Sequence, residues 1–161
     1  MKQVIVEQFG GPEVLKITNV PTPDPGAGMV RIAVTSIGMN HADLMSRRSE
    51  YKLASGDPPF SPGLEAGGVI DAVGPDVTQR HIGQRVVVAV DAPRLGGGCG
   101  GTYRSHYICP ADKTLLAPDE LPDELLGAVW LSHLTAWGCL AWKHGLEPGA
   151  FVAMPAASSS V

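Results

Sequence analysis

A chain of 161 residues has room for one medium domain, or for one domain and a piece of another, and is long enough to bury a core. Its 44% hydrophobic and 17% charged residues are ordinary for a globular protein, and a net charge of −4 with scattered basic residues argues against nucleic acid or an anionic membrane as the main partner. Three cysteines, Cys99, Cys109 and Cys139, show no paired spacing and no C-x-x-C, which argues against a zinc knuckle and for a reducing, cytoplasmic setting.

The opening "MKQVIVEQFGG" alternates like a strand and lacks the apolar core of a signal peptide, and no later run approaches the length of a membrane helix. Gly and Pro, 20 and 14 residues, punctuate the first three quarters. Between them lie "QVIVEQF", "VLKITNV", "MVRIAVTSIG", "GGVIDAVG", "RVVVAV" and "YRSHYIC", each read as a short strand. Val86-Val87-Val88 has the pattern of a buried one. Many short strands separated by turn signals predict a barrel or sandwich. "VPTPDPGAGMV" is a turn or linker, since its prolines cannot serve an interior ladder. "NHADLMSRR" predicts a short helix with Asn40 as its N-cap.

The next segment, "PGLEAGGVI", is a Gly-x-Glu-x-x-Gly turn running into a β-branched strand. A metal-binding histidine would sit sensibly just before the Glu, but that position is Leu64. "APRLGGGCGG" reads as a Gly-rich loop, open either to close approach of a ligand or to a plain surface excursion. The clearest helical stretch is "LPDELLGAVWLSHLTAWGCLAWKHG". Pro122 suits a first helical position, Asp123 and Glu124 favour the positive end, and Lys143-His144-Gly145 makes a C-terminal stop. Leu126, Val129, Trp130, His133, Leu134, Trp137 and Leu140 recur at threes and fours, with Gly127 and Gly138 as candidate breaks. After the Pro148-Gly149 turn, "AFVAMPAA" reads as a buried strand, followed by small residues that resemble a tight turn into a helix.

Taken in order, "FGGPEVLKI", "PTPDPGAGMVRIAVTSIGMNHAD", "PGLEAGGVIDAVGPDVTQRHIGQRVV", "GTYRSHYICPADKTLLAPDELP" and "LTAWGCL" resemble the medium-chain dehydrogenase/reductase superfamily, in its zinc-free quinone oxidoreductase (zeta-crystallin-like) branch. The resemblance implies a mainly β fold with helices (α+β). Residues 1–120 would be a GroES-like β-barrel, 121–149 linking helices, and 150–161 the truncated start of a nucleotide-binding Rossmann domain. Zinc-dependent members supply a cysteine where this chain has Met39-Asn40 and a histidine at Leu64, so the resemblance implies chemistry without zinc or any other metal. It implies hydride transfer from NADPH (cofactor NADP) to a quinone or enone, whose conjugation takes up charge without a Lewis acid.

By the same resemblance Asn40 matches the Gly-x-Asn position and would touch substrate or nicotinamide, its alternative being a plain helix cap. Glu65 would orient the loop by accepting hydrogen bonds, or transfer a proton. Related reductases carry a tyrosine where this chain has Met45; Tyr51 could reach the pocket instead, or sit exposed on a loop. Thr135 matches a position beside the nicotinamide, and Ser158, Ser159 and Ser160 would lie on the pyrophosphate turn. The full-length form would be a homodimer, and this piece by itself inactive, with an uncovered tail that is disordered or buried in an oligomer. Either the sequence is part of a longer reductase or it is a genuinely short product. Two other readings stay open: a non-enzymatic GroES-like binding or assembly module, and a zinc-type alcohol dehydrogenase relative that has lost its metal.

Overall fold

The computed structural model describes residues 1–51, 56–88 and 100–155. Its first layer is a hairpin in which β1 (Lys2–Val6) pairs antiparallel with β2 (Leu15–Asn19), Val4 opposite Ile17. A 3-10 turn at Pro12–Val14 joins them and buries Val14. Pro at the first position of that turn gives up only an amide that would have been orphaned anyway.

The second layer is a five-stranded antiparallel sheet made of β3 (Met29–Ile37), β4 (Ala66–Val73), β5 (Arg85–Val88), β6 (His106–Pro110) and β7 (Thr114–Leu116), in the order β6-β3-β4-β5-β7. The register of β3 on β4 slips twice, between Arg31 and Ile32 and between Val34 and Ser36. Such bulges bend a strand and increase its twist, and here they curl the sheet into half a barrel. Its concave face is filled by alternate residues: Val30 and Ile32 from β3, Ile70 from β4, Val86 and Val88 from β5, and Tyr107 and Cys109 from β6, all at most 1% exposed. Each aliphatic member contributes about 1.5–3 kcal/mol by its burial. The hairpin closes over one end, where the Val4 amide donates to the Tyr103 carbonyl and the Val6 amide to that of Phe60, both at 2.8 Å.

The predicted architecture, mainly β with a few helices, is therefore the one adopted. The six short runs read as strands in the first three quarters of the chain each overlap one of β1 to β6. β7 was not among them, being only three residues long. The predicted short helix is α1 (His41–Arg47), with Asn40 at its N-cap. The predicted helical stretch is broken near both glycines, as expected: a 3-10 turn at Asp123–Ala128, then α2 (Trp130–Trp137), then a π-helical turn at Gly138–Lys143. Gly127 has a cause in packing, since a Cβ there would lie 2.3 Å from the Ser36 carbonyl oxygen.

Two expectations fail on burial. Of the apolar stripe along the helical stretch only Leu126 is buried; Leu134 and Trp137 face outward. "AFVAMPAA" is not a buried strand over its described part: residues 150–155 form no strand, and Phe151 is fully exposed. An apolar strand of that kind needs neighbours on both edges and cover on both faces, and no described strand lies beside it. The Gly-rich loop at 92–101 lies outside the described residues except for Gly100 and Gly101. Among the described residues, no helix is long and apolar enough to cross a membrane.

Candidate functional site

The first residues of α1 and the turn before β4 meet at one place. The backbone of Asn40 is extended, its amide donates to the Asp43 carboxylate at 2.9 Å, and the amide of Asp43 donates back to the Asn40 carbonyl. This reciprocal closure fixes the start of a helix only seven residues long. Gly63, with φ +108°, makes the turn into β4, where a side chain would strike Thr102 and Tyr103. Its amide donates to Asp43 Oδ1 at 3.1 Å. Leu64 is buried, and Glu65 follows at 3% exposure.

Both oxygens of Glu65 are occupied. Asn40 Nδ2 donates to Oε1 at 2.9 Å, and the Leu131 amide, in the first turn of α2, donates to Oε2 at 2.8 Å. The main chain of Glu65 is held as well, its carbonyl accepting from Thr102 Oγ1 at 2.8 Å. Asp43 also takes the phenolic hydrogen of Tyr103, at 3.1 Å on Oδ2. Burial pushes the Asp43 carboxyl above the ordinary aspartate range, against the pull of its three donors. Burial also raises the Tyr103 phenol well above its usual value, and the neighbouring Asp43 charge adds to this.

A groove of about 300 Å³ opens over this cluster, lined by Asn40, Asp43 and Tyr103 with Met39, Leu44 and Pro62 around them. It offers amide, carboxylate and phenol, with the side chains of His41 and Arg47, among apolar ones, the usual composition of a small-molecule site. A larger, almost wholly apolar groove of about 570 Å³ runs between β7 and α2, past Leu115, Leu116 and Trp130. Among the described residues, none of the predicted site residues lines that one.

Of the predicted site residues, the structure brings Asn40 and Glu65 into direct contact. Tyr51 stands apart: it is exposed, lines neither groove, and its backbone carbonyl accepts a hydrogen bond from Ser46 Oγ. Thr135 lies exposed on α2, and its hydroxyl donates to the Leu131 carbonyl at 2.7 Å, one turn back. Its oxygen keeps lone pairs for an outside donor. Ser158, Ser159 and Ser160 lie outside the described residues. Asp43, Tyr103 and the Leu131 amide were missed. The Asn-x-x-Asp spacing at Asn40 could have announced Asp43 as a capping partner. Among the described residues, no three His, Cys, Asp or Glu side chains gather as a metal-binding group.

Residues 26–119 match the alcohol dehydrogenase GroES-like domain. The chain is 32% identical to the 2-haloacrylate reductase of a Burkholderia species over 98% of its own length and 46% of the relative's. To the rat synaptic vesicle membrane protein VAT-1 homolog it is 31% identical, over all of this chain and 38% of that protein. The fold superposes on Escherichia coli quinone oxidoreductase complexed with NADPH with a TM-score of 0.77 at 29% identity, over 87% of this chain and 40% of that one. The chain thus spans less than half the length of the relatives it matches. With a family match over more than half its residues and this curled sheet, it belongs to the alcohol dehydrogenase GroES-like domain family, within the medium-chain dehydrogenase/reductase superfamily.

Proposed function

We propose that this chain is the substrate-side domain of an NADPH-dependent reductase that reduces quinones or enones by hydride transfer without zinc. The observation that carries the reading is the Asn40–Glu65 pair at the edge of the polar groove, with Leu64 beside it. At the positions where zinc-dependent members place ligands, this chain offers an amide, an alkyl side chain and one carboxylate whose oxygens are both already hydrogen-bonded. That donor set does not fit a zinc ion.

A bound nicotinamide supplies hydride. The work left to this chain is to hold a flat acceptor against it and to meet the charge that grows on the acceptor's oxygen. The second N–H of Asn40 Nδ2 is the donor we assign to this, with Tyr103, Met39, His41 and Arg47 on the wall around it. Thr135, by its oxygen, suits a carboxamide N–H. The named substrates of relatives are of the electron-poor kind the reading requires: a 2-haloacrylate and quinones.

The test follows NADPH consumption by the protein as it is made in the cell, dialysed against a chelator, with quinones, enones, a simple ketone and, in reverse, an alcohol. Quinone or enone reduction that survives chelation, with no turnover of ketone or alcohol, is the expected result. Activity lost on chelation and restored by Zn2+, or no consumption with any electron-poor acceptor, would overturn the proposal.

A further inference from the structure

We infer that Glu65 is a positioning residue, which acts on the reaction only through Asn40 by tying the N-terminus of α2 to the N-terminus of α1. The inference rests on the reductase reading above and assigns Glu65 a task within it.

Three observations converge. First, Glu65 is 3% exposed with both oxygens engaged, and it does not line the groove, whereas Asn40 does. A proton-transfer group needs an oxygen that can meet the reacting atom. Burial outside the groove keeps those of Glu65 from doing so. Second, the N-cap of α2 is Val129, which has no side-chain oxygen, so the first-turn amide of Leu131 would be orphaned. Glu65 satisfies it from another element, and its negative charge lies at the positive end of the helix. Third, the seat of the carboxylate exists because Gly38 lacks a side chain: a Cβ there would lie 2.2 Å from Glu65 Oε1 and 2.4 Å from the Gly127 carbonyl oxygen. The loop before α1, the turn before β4 and the start of α2 therefore close on one side chain.

The chemistry of the pair sets what Asn40 can offer. An ionised carboxylate only accepts, so the Asn40 amide must turn Nδ2 towards it. Glu65→Gln keeps the shape but not this rule. The Leu131 amide would take the glutamine oxygen, the glutamine NH2 would face Asn40, and the Asn40 amide would have to turn over. Its donor and acceptor would change places while the fold stayed intact. Gly38→Ala acts differently, expelling the carboxylate altogether.

The experiment is a double-mutant cycle with a second, activity-free arm. Glu65→Gln and Asn40→Ala should each lower kcat/KM for the quinone or enone, by on the order of 10²-fold for a misplaced polar group. Together they should do no worse than Asn40→Ala alone, because Glu65 has no route to the substrate but Asn40. Multiplying losses, or a pH–rate profile that loses a limb in Glu65→Gln, would make Glu65 a proton-transfer group and sink the inference. In the second arm, hydrogen exchange of the Leu131 amide is followed by NMR in the same chain. It should speed up at least about tenfold in Gly38→Ala and Glu65→Ala, and stay slow in Glu65→Gln, where an acceptor remains. Unchanged exchange in the first two variants would overturn the inference even if no acceptor were ever reduced. Absence of turnover with the expected exchange pattern would instead count against the reductase reading alone.

Discussion

Asp43 is buried to 8% exposure and receives hydrogen bonds from the Asn40 amide, the Gly63 amide and the Tyr103 phenol. Burial nevertheless outweighs these donors and raises its carboxyl above the usual range. The native state then holds this proton more tightly than the unfolded chain does. Its contribution to stability is full below the ordinary aspartate value and is lost as pH rises through the raised native one. Asp43→Asn offers one acceptor to three donors, so it should cost about 1–3 kcal/mol at neutral pH. Urea denaturation of both proteins across a pH series should show the gap between them widest on the acid side and narrowing as pH rises. A gap that grows with pH would mean the three donors, not burial, control the carboxyl. At this scale the sequence singled out Asn40 and Glu65, whose types and local motif carry information, and the structure puts them in contact. Tyr103 and the Leu131 amide stayed hidden for a physical reason. Their contacts bridge 60 and 66 residues of chain, and a backbone amide leaves no mark in the residue type.

At the scale of elements, the 3-10 turn Asp123–Ala128 is what joins the sheet to α2. Leu126 is fully buried over β4, the Gly127 amide donates to Ser36 Oγ at 2.8 Å, and Ser36 Oγ donates to the Asp123 carbonyl at 2.7 Å. The Arg85–Asp123 ion pair at 2.8 Å is partly exposed and adds at most about 1 kcal/mol. Close approach, rather than charge, holds the turn down. A Cβ on Gly67 would sit 2.2 Å from Leu126 Cβ and 2.7 Å from its carbonyl carbon. Gly67→Ala should therefore cost about 1–3 kcal/mol, whereas Gly26→Ala, with nothing within 4 Å, should stabilise by up to about 1 kcal/mol through the unfolded chain. Denaturation midpoints that shift equally in the two variants would refute this account of the contact. The strands of the sheet were legible because alternation reports which face is buried, and burial is decided within the sheet itself. β7 escaped because three residues are too few to show a period. The run 150–155 misled because its apolar content suited a strand while pairing depends on a neighbouring edge.

For the whole molecule, the apolar surface is unevenly spread. Trp137 and Trp142 are 56% and 70% exposed, Met154 65%, and Phe151 is bare, all within the last quarter of the chain, while β5 and β6 bury Val86, Val88, Tyr107 and Cys109 and, within the five-stranded sheet, Ile37, Leu115 and Leu116 stand exposed. Amphipathic spacing in this stretch was visible in the sequence, but periodicity only says that a face wants cover, not what supplies it. Large exposed apolar side chains favour association, and here they lie far along the chain from the core that stabilises the fold. This polypeptide should therefore self-associate in solution without its sheet being disturbed. Sedimentation velocity should show an apparent mass that rises with concentration. The pair Trp142→Asp and Phe151→Asp should return it to the monomer, with far-UV circular dichroism and urea midpoint unchanged, since neither side chain belongs to the core. A monomer at every concentration, or association indifferent to both charges, would show that these side chains find cover within the chain itself. A loss of the urea midpoint in the paired variant would place them in the packing of the domain.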